Sequence, residues 1–205
     1  FVRQNYSLIC KRAKNLKLPN LSSKRPKIIA LDASGVKIYG EGEWKVRTYG
    51  ASKRRRWLKI HIGVDVRSGE IVAQKTTESN VHDSKMVEEL LDQIDGSVQE
   101  VLADGAYDGK NAIESIRNKG AKALIPPRKN GRVRGKDPNR DNAIREIRGL
   151  GGDPQARSTW GKLTGYSLRA LVETAFSRMK GMFGERLFSR TIERQVLENG
   201  LRCLI

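Results

Sequence analysis

The order in which strand and helix patterns follow one another constrains this chain more than any one motif. Residues 28–31, IIAL, form an apolar run closing on Asp32 and a Ser34, Gly35 turn, the pattern of a central strand with a carboxylate at its end. Residues 57–66, WLKIHIGVDV, alternate as a second strand, RSGE makes a turn, and EIVAQKTTE pairs back as the third strand of a meander. Residues 80–83 are placed to cap an amphipathic helix, SKMVEELLDQID, with Met86, Leu90, Leu91 and Ile94 facing inward. A short strand, VQEVLA, then ends in Asp104, Asp108 has the spacing of an N-cap for the helix GKNAIESIRNKG, and AKALI makes a fifth strand closed by Pro126 and Pro127. Antiparallel strands followed by alternating helices and strands predict an α/β domain, a mixed sheet flanked by helices.

Beyond the fifth strand, residues 128–160 are basic and weakly patterned, and are expected to be a loop-rich insertion with one helix, RDNAIREIRGL. The stretch YSLRALVETAFSRMK, residues 166–180, then predicts one continuous helix. At 100° per residue Tyr166, Arg169, Glu173 and Lys180 share a narrow arc, beside an apolar arc of Leu168, Leu171, Val172, Ala175, Phe176 and Met179. Lys180 falls about 10 Å along the axis from Glu173, too far to share an ion but suited to a neighbouring phosphate. Taken alone, the helix also reads as a surface element with an ordinary Arg169–Glu173 pair.

The formal net charge of +17 makes a polyanion the leading partner, since neutralising phosphates releases counterions. The run Lys53, Arg54, Arg55, Arg56, in a loop beyond the first strand, suits a grip on a nucleic-acid backbone. No apolar run approaches the ~20 residues of a membrane span, no leader is evident, and Cys10 and Cys203 match no metal spacing, so a cytoplasmic setting is expected. His61 and His82 form no nucleophilic triad, and no Walker-type loop is present. The chain starts at Phe1 and stops within a helical pattern, so both ends are expected to continue in a longer protein.

Metal-assisted phosphoryl transfer needs carboxylates that hold cations about 3.5–4 Å apart, and magnesium prefers hard oxygen ligands. Asp32 and Asp104, at the ends of strands that this order permits to be neighbours, are candidates, with Glu173 descending from a covering helix. Asp32 reads equally as a turn former, and Asp108 competes with Asp104. Asp65 is better explained by a hairpin. Trp160 suits core packing more than stacking on an unpaired base.

Tyr166, Arg169, Glu173 and Lys180 fill the Tyr-x2-Arg-x3-Glu-x6-Lys signature, and LDASGVKIYGEGEW and LADGAYDG resemble the segments around the first and second aspartates, of the DDE transposases of bacterial insertion sequences (four/five type). The resemblance runs from about residue 27 to the end. It implies a ribonuclease H-like catalytic domain over 27–205, with residues 1–26 the tail of an upstream DNA-recognition region. It further implies two divalent cations, magnesium or manganese, held by Asp32, Asp104 and Glu173, and strand cleavage followed by strand transfer. Arg169, Lys180 and Tyr166 would hold DNA near the cut, beside the backbone grip that the basic loop of Arg54, Arg55 and Arg56 suits on its own, and the full-length protein would work as a homodimer at the bacterial nucleoid. A related nuclease that cuts without joining, or an inactive DNA-binding fragment, are the alternatives.

Overall fold

The computed structural model describes residues 8, 11–13, 15–19, 21, 27–38, 57–135 and 137–204. β1 (Ile28–Ile38), β2 (Trp57–Asp65) and β3 (Ile71–Glu78) make the expected antiparallel meander. β4 (Glu100–Leu102) and β5 (Lys122–Leu124) extend it as parallel strands, giving the order β3-β2-β1-β4-β5, and the two-residue β6 (Arg186–Leu187) pairs with the end of β1. A six-stranded mixed sheet of this order, flanked by helices, is a ribonuclease H-like arrangement. No helix among the described residues is long and apolar enough to cross a membrane.

Alternation along the strands divides the core into two faces. On one face Ile29, Leu31 and Val72 pack with Leu90 and Leu91 of α1 (Val87–Asp92), with Tyr107, and with Ile116 of α2 (Lys110–Asn118). On the other, Ala30, Ile60, Ile62 and Val64 share a cluster with Val172, Phe176 and Met179 of α5 (Ala170–Phe183). Fully burying a side chain of this size contributes roughly 1.5–3 kcal/mol, so three of them fix the rotation of α5 and leave Glu173 exposed beside Val172.

Asp32 does not end a strand. β1 continues through Ser34 and Gly35 to Ile38, with Asp32 opposite Ile62 and Gly35 opposite Lys59. The expected turn is absent because cross-strand pairing and the apolar Val36 outweigh the turn preference of Ser and Gly. Gly35 serves close packing instead, since a Cβ there would lie 3.3 Å from the Trp57 ring.

Between β5 and α5 the structure has two helices rather than one, α3 (Pro138–Gly149) and α4 (Pro154–Leu163). Each opens with Asp-Pro: Asp137 accepts from the amide of Arg140 and Asp153 from that of Ala156, with Pro in the first turn. Trp160 of α4 is buried, and its Nε1 donates to Glu146 of α3 at 2.8 Å, so it joins the two helices as a core residue. The last helix, α6 (Ile192–Cys203), ends in a free Cys203 whose thiol burial pushes up to about 12.

Candidate active site

Parallel pairing sets two of the three candidate acids side by side. Ile28 faces Glu100 and Ala30 faces Leu102, so the same register carried two residues further brings Asp32 level with Asp104. Asp32 lies on the Ala30 face, the one that α5 covers. β4 stops at Leu102 and β6 joins β1 only at Lys37, which leaves Asp32 in a notch of the sheet edge.

Asp104 opens a short 3₁₀ turn (Gly105–Tyr107), and its Oδ1 accepts the amide of Ala106 at 2.8 Å. It thus forms the turn and keeps its second oxygen available. Asp108 is not the N-cap of α2: Gly109 holds that position, and the buried Asp108 carboxylate pairs with Arg140 and the Arg128 amide. The larger demand of a buried carboxylate for a cation and an amide explains why the capping pattern misleads here.

The third acid arrives through a change of helix type. Gly165, at φ 76°, lets the chain enter a 3₁₀ turn (Tyr166–Arg169) before α5 begins at Ala170. The segment is therefore not one continuous helix, and Leu168, placed by α-helical geometry on the apolar face, is exposed. The turn lies against β1 and β4. From it the Arg169 guanidinium reaches both ways: Nη1 donates to Asp32 Oδ2 at 3.1 Å, and Nη2 donates to Glu173 Oε1.

Around this guanidinium the charges are coupled. Burial raises the Asp32 pKa; the Ala33 amide and Arg169 oppose that, and Asp104 reinforces it by like-charge repulsion. Burial disfavours the charged form of Arg169, but Tyr166, Asp32, Glu173 and Asp104 outweigh it and hold the guanidinium protonated. Tyr166 is pushed up by burial and by Asp104 and Asp32, and its ring lies 5.7 Å from that of Trp160.

Asp32, Asp104, Glu173, Tyr166 and Arg169 are thus brought to one sheet edge. Lys180 sits about two turns further along α5, half-buried and without an ion pair among the described residues. Arg54, Arg55 and Arg56 lie outside the described residues, as does Cys10. Among the described residues no three His, Cys, Asp or Glu side chains stand close enough to share an ion, and Arg169 pairs with both Asp32 and Glu173. The donors still suit a hard divalent cation: all are carboxylates, one of them exposed, and a positive charge already sits among them. Arg169 as a bridge was not foreseen, although its i,i+4 spacing to Glu173 was the available signal.

Among solved structures the chain is similar to a piggyBac transposase in a synaptic complex with hairpin DNA, determined by cryo-electron microscopy, with a TM-score of 0.48 and 13% identity. The match covers 99% of this chain and 49% of that one, so the chain spans about half its length. The family described as the transposase DDE domain matches residues 23–205, nearly the whole sequence, and the chain belongs to that family.

Proposed function

We propose that this chain is the catalytic core of an insertion-sequence transposase, which cuts a DNA strand at the element's end and joins the freed 3′ end to target DNA. The observation that carries the reading is the Arg169 bridge: acids from a strand and a helix face one cation, with Asp104 close enough to Asp32 to repel its charge. In this reading Asp32, Asp104 and Glu173 are the catalytic acids and would hold two divalent ions, in keeping with the general use of such ions in the family. Bound there, such ions polarise the phosphodiester and activate the attacking oxygen.

The protein's own groups supply placement. Asp32 is fixed by eleven residues of strand, and Glu173 by the buried face of α5. Arg169, which stands between Asp32 and Glu173, would also suit a phosphate at the same edge, since its guanidinium can bind two oxygens at once. Tyr166, adjacent on the same turn, offers a hydroxyl to the backbone, and Lys180 holds a phosphate further along the strand.

The test is magnesium-dependent cutting and joining of an element-end duplex by a protein extended to its natural ends. Asp32→Asn, Asp104→Asn and Glu173→Gln are each expected to lower cleavage by about 10³-fold, equivalent to ~4 kcal/mol of transition-state stabilisation. Duplex binding should persist in each variant and in chelator. Cleavage retained by all three variants refutes the assignment, and cutting without joining reassigns the chain as a nuclease.

A further inference from the structure

Residues 126–135, PPRKNGRVRG, join β5 to α3 and would be a flexible, solvated strip if charge alone governed them. Their backbone is instead tied down along its length. The amide of Arg128 donates to Asp108 Oδ2 at 3.0 Å, and those of Arg134 and Gly135 donate to Asp141 at 3.1 and 2.6 Å. From the other side Arg157, Arg148 and Arg140 donate to the carbonyls of Pro127, Gly131 and Arg132 at 2.8, 3.0 and 3.2 Å.

The two carboxylates in this scaffold, Asp108 and Asp141, are only 8% and 2% exposed. Burying a carboxylate is costly unless it is fully paired. Here that pairing goes into the shape of the loop, through its amides and Arg140, and not into neutralising the side chains the loop displays. Those side chains, Arg128, Lys129, Arg132 and Arg134, are all exposed and make no ion pair among the described residues.

A rigid array of four unneutralised cations carries its own repulsion, and an occupant of opposite charge relieves it. Because the backbone is already ordered, little conformational entropy remains to be given up on binding. The array also has a definite address. A Cβ on Gly105, the residue after Asp104, would lie 3.5 Å from the Pro126 carbonyl oxygen, so the loop departs from beside that aspartate.

We propose that the loop displaying Arg128, Lys129, Arg132 and Arg134 is a preformed phosphate-binding shelf that holds the backbone of duplex DNA running past Asp104. The proposal rests on the reading of this chain as a DNA-processing core and adds a second set of cations, beside Asp104. An acidic protein partner would use the same charges but would leave the salt dependence of DNA binding untouched.

The experiment measures binding of the whole chain to a fluorescent duplex of arbitrary sequence, without divalent ions, between about 50 and 200 mM salt. Replacing all four residues with Gln is expected to reduce the slope of log K against log salt by about 2 or more, at ~0.9 for each phosphate no longer neutralised. The four-Lys counterpart (Arg128→Lys, Arg132→Lys, Arg134→Lys, with Lys129 kept) should restore it, which also guards against a folding defect in the Gln variant. Arg117→Gln with Lys122→Gln, two exposed cations near the opposite ends of α2 and β5, should leave the slope unchanged. A Gln variant with the parental slope overturns the shelf and leaves the transposase reading standing. A parent chain that binds no duplex overturns both.

Discussion

Arg140 and Arg169 both face aspartates, and the difference between their settings separates scaffold from site. Arg140 makes two bonds to Asp108, from Nε at 2.7 Å and Nη2 at 3.1 Å, and the Asp108 side chain is 2% exposed. Its hydrogen bond to Asp108 raises the Arg140 pKa, so the guanidinium stays charged and the joint stays closed. Arg169 divides itself between Asp32 and Glu173, whose side chains are 21% and 57% exposed. A carboxylate sealed away from water has no alternative to its partner, whereas one open to solvent can exchange a guanidinium for another cation. The first arrangement holds the insertion onto the sheet, and the second suits a position where ions and phosphates come and go.

The comparison breaks if the two aspartates respond alike to substitution. Asp108→Ala removes a buried carboxylate that holds both half-buried Arg140 and the Arg128 amide, and is expected to lower unfolding free energy by about 3 kcal/mol in urea titrations. Asp32→Asn should change it by less than about 1 kcal/mol, because its charge is already disfavoured by burial and by Asp104. Equal losses would remove the distinction.

A second test concerns the sheet's far face, where His61 is fully buried with Nε2 2.9 Å from Thr77 Oγ1. Burial lowers its pKa to about 4, with Asp83 opposing and Lys59 assisting the shift. Between that value and 6.5 the unfolded chain binds the proton that the folded one refuses, so stability is full above pH 6.5 and falls as pH drops toward 4. The loss should reach about 3 kcal/mol, and His61→Gln should flatten it. A parental urea midpoint that does not move between these pH values contradicts the assignment.

The smallest effect sharpens the site itself. Lys180→Gln is expected to reduce the salt slope of duplex binding by about 1 without altering unfolding, as when a single phosphate loses its cation. An unchanged slope takes Lys180 off the DNA-contacting edge.

Strand order and the meander were legible because alternation is a local signal, as in residues 57–65 and 71–78. The parallel pairing of β1 with β4, which brings the segments of Asp32 and Asp104 together, was not, since it joins distant parts of the sequence. Asp32 looked like a turn residue because Ser34 and Gly35 follow it, and only the pairing with β2 shows a strand running through. The two Asp-Pro dipeptides at 137–138 and 153–154 were a readable start signal for α3 and α4, hidden by the basic residues around them. The 3₁₀ turn at Tyr166 leaves no mark in the sequence, because helical periodicity does not distinguish the first turn's type. Asp108 has the local pattern of an N-cap, and its real partner, Arg140, lies 32 residues away, beyond any local signal.

The proposed function rests on Asp32, Asp104 and Glu173 together holding divalent ions, where the Arg169 guanidinium now bridges Asp32 and Glu173. Manganese titration followed by electron paramagnetic resonance, on the parent chain and on Asp32→Asn, Asp104→Asn and Glu173→Gln, tests it most directly. The account predicts bound manganese in the parent and affinity at least about tenfold weaker in each variant. An acid whose loss leaves manganese binding at the parental level would contradict it.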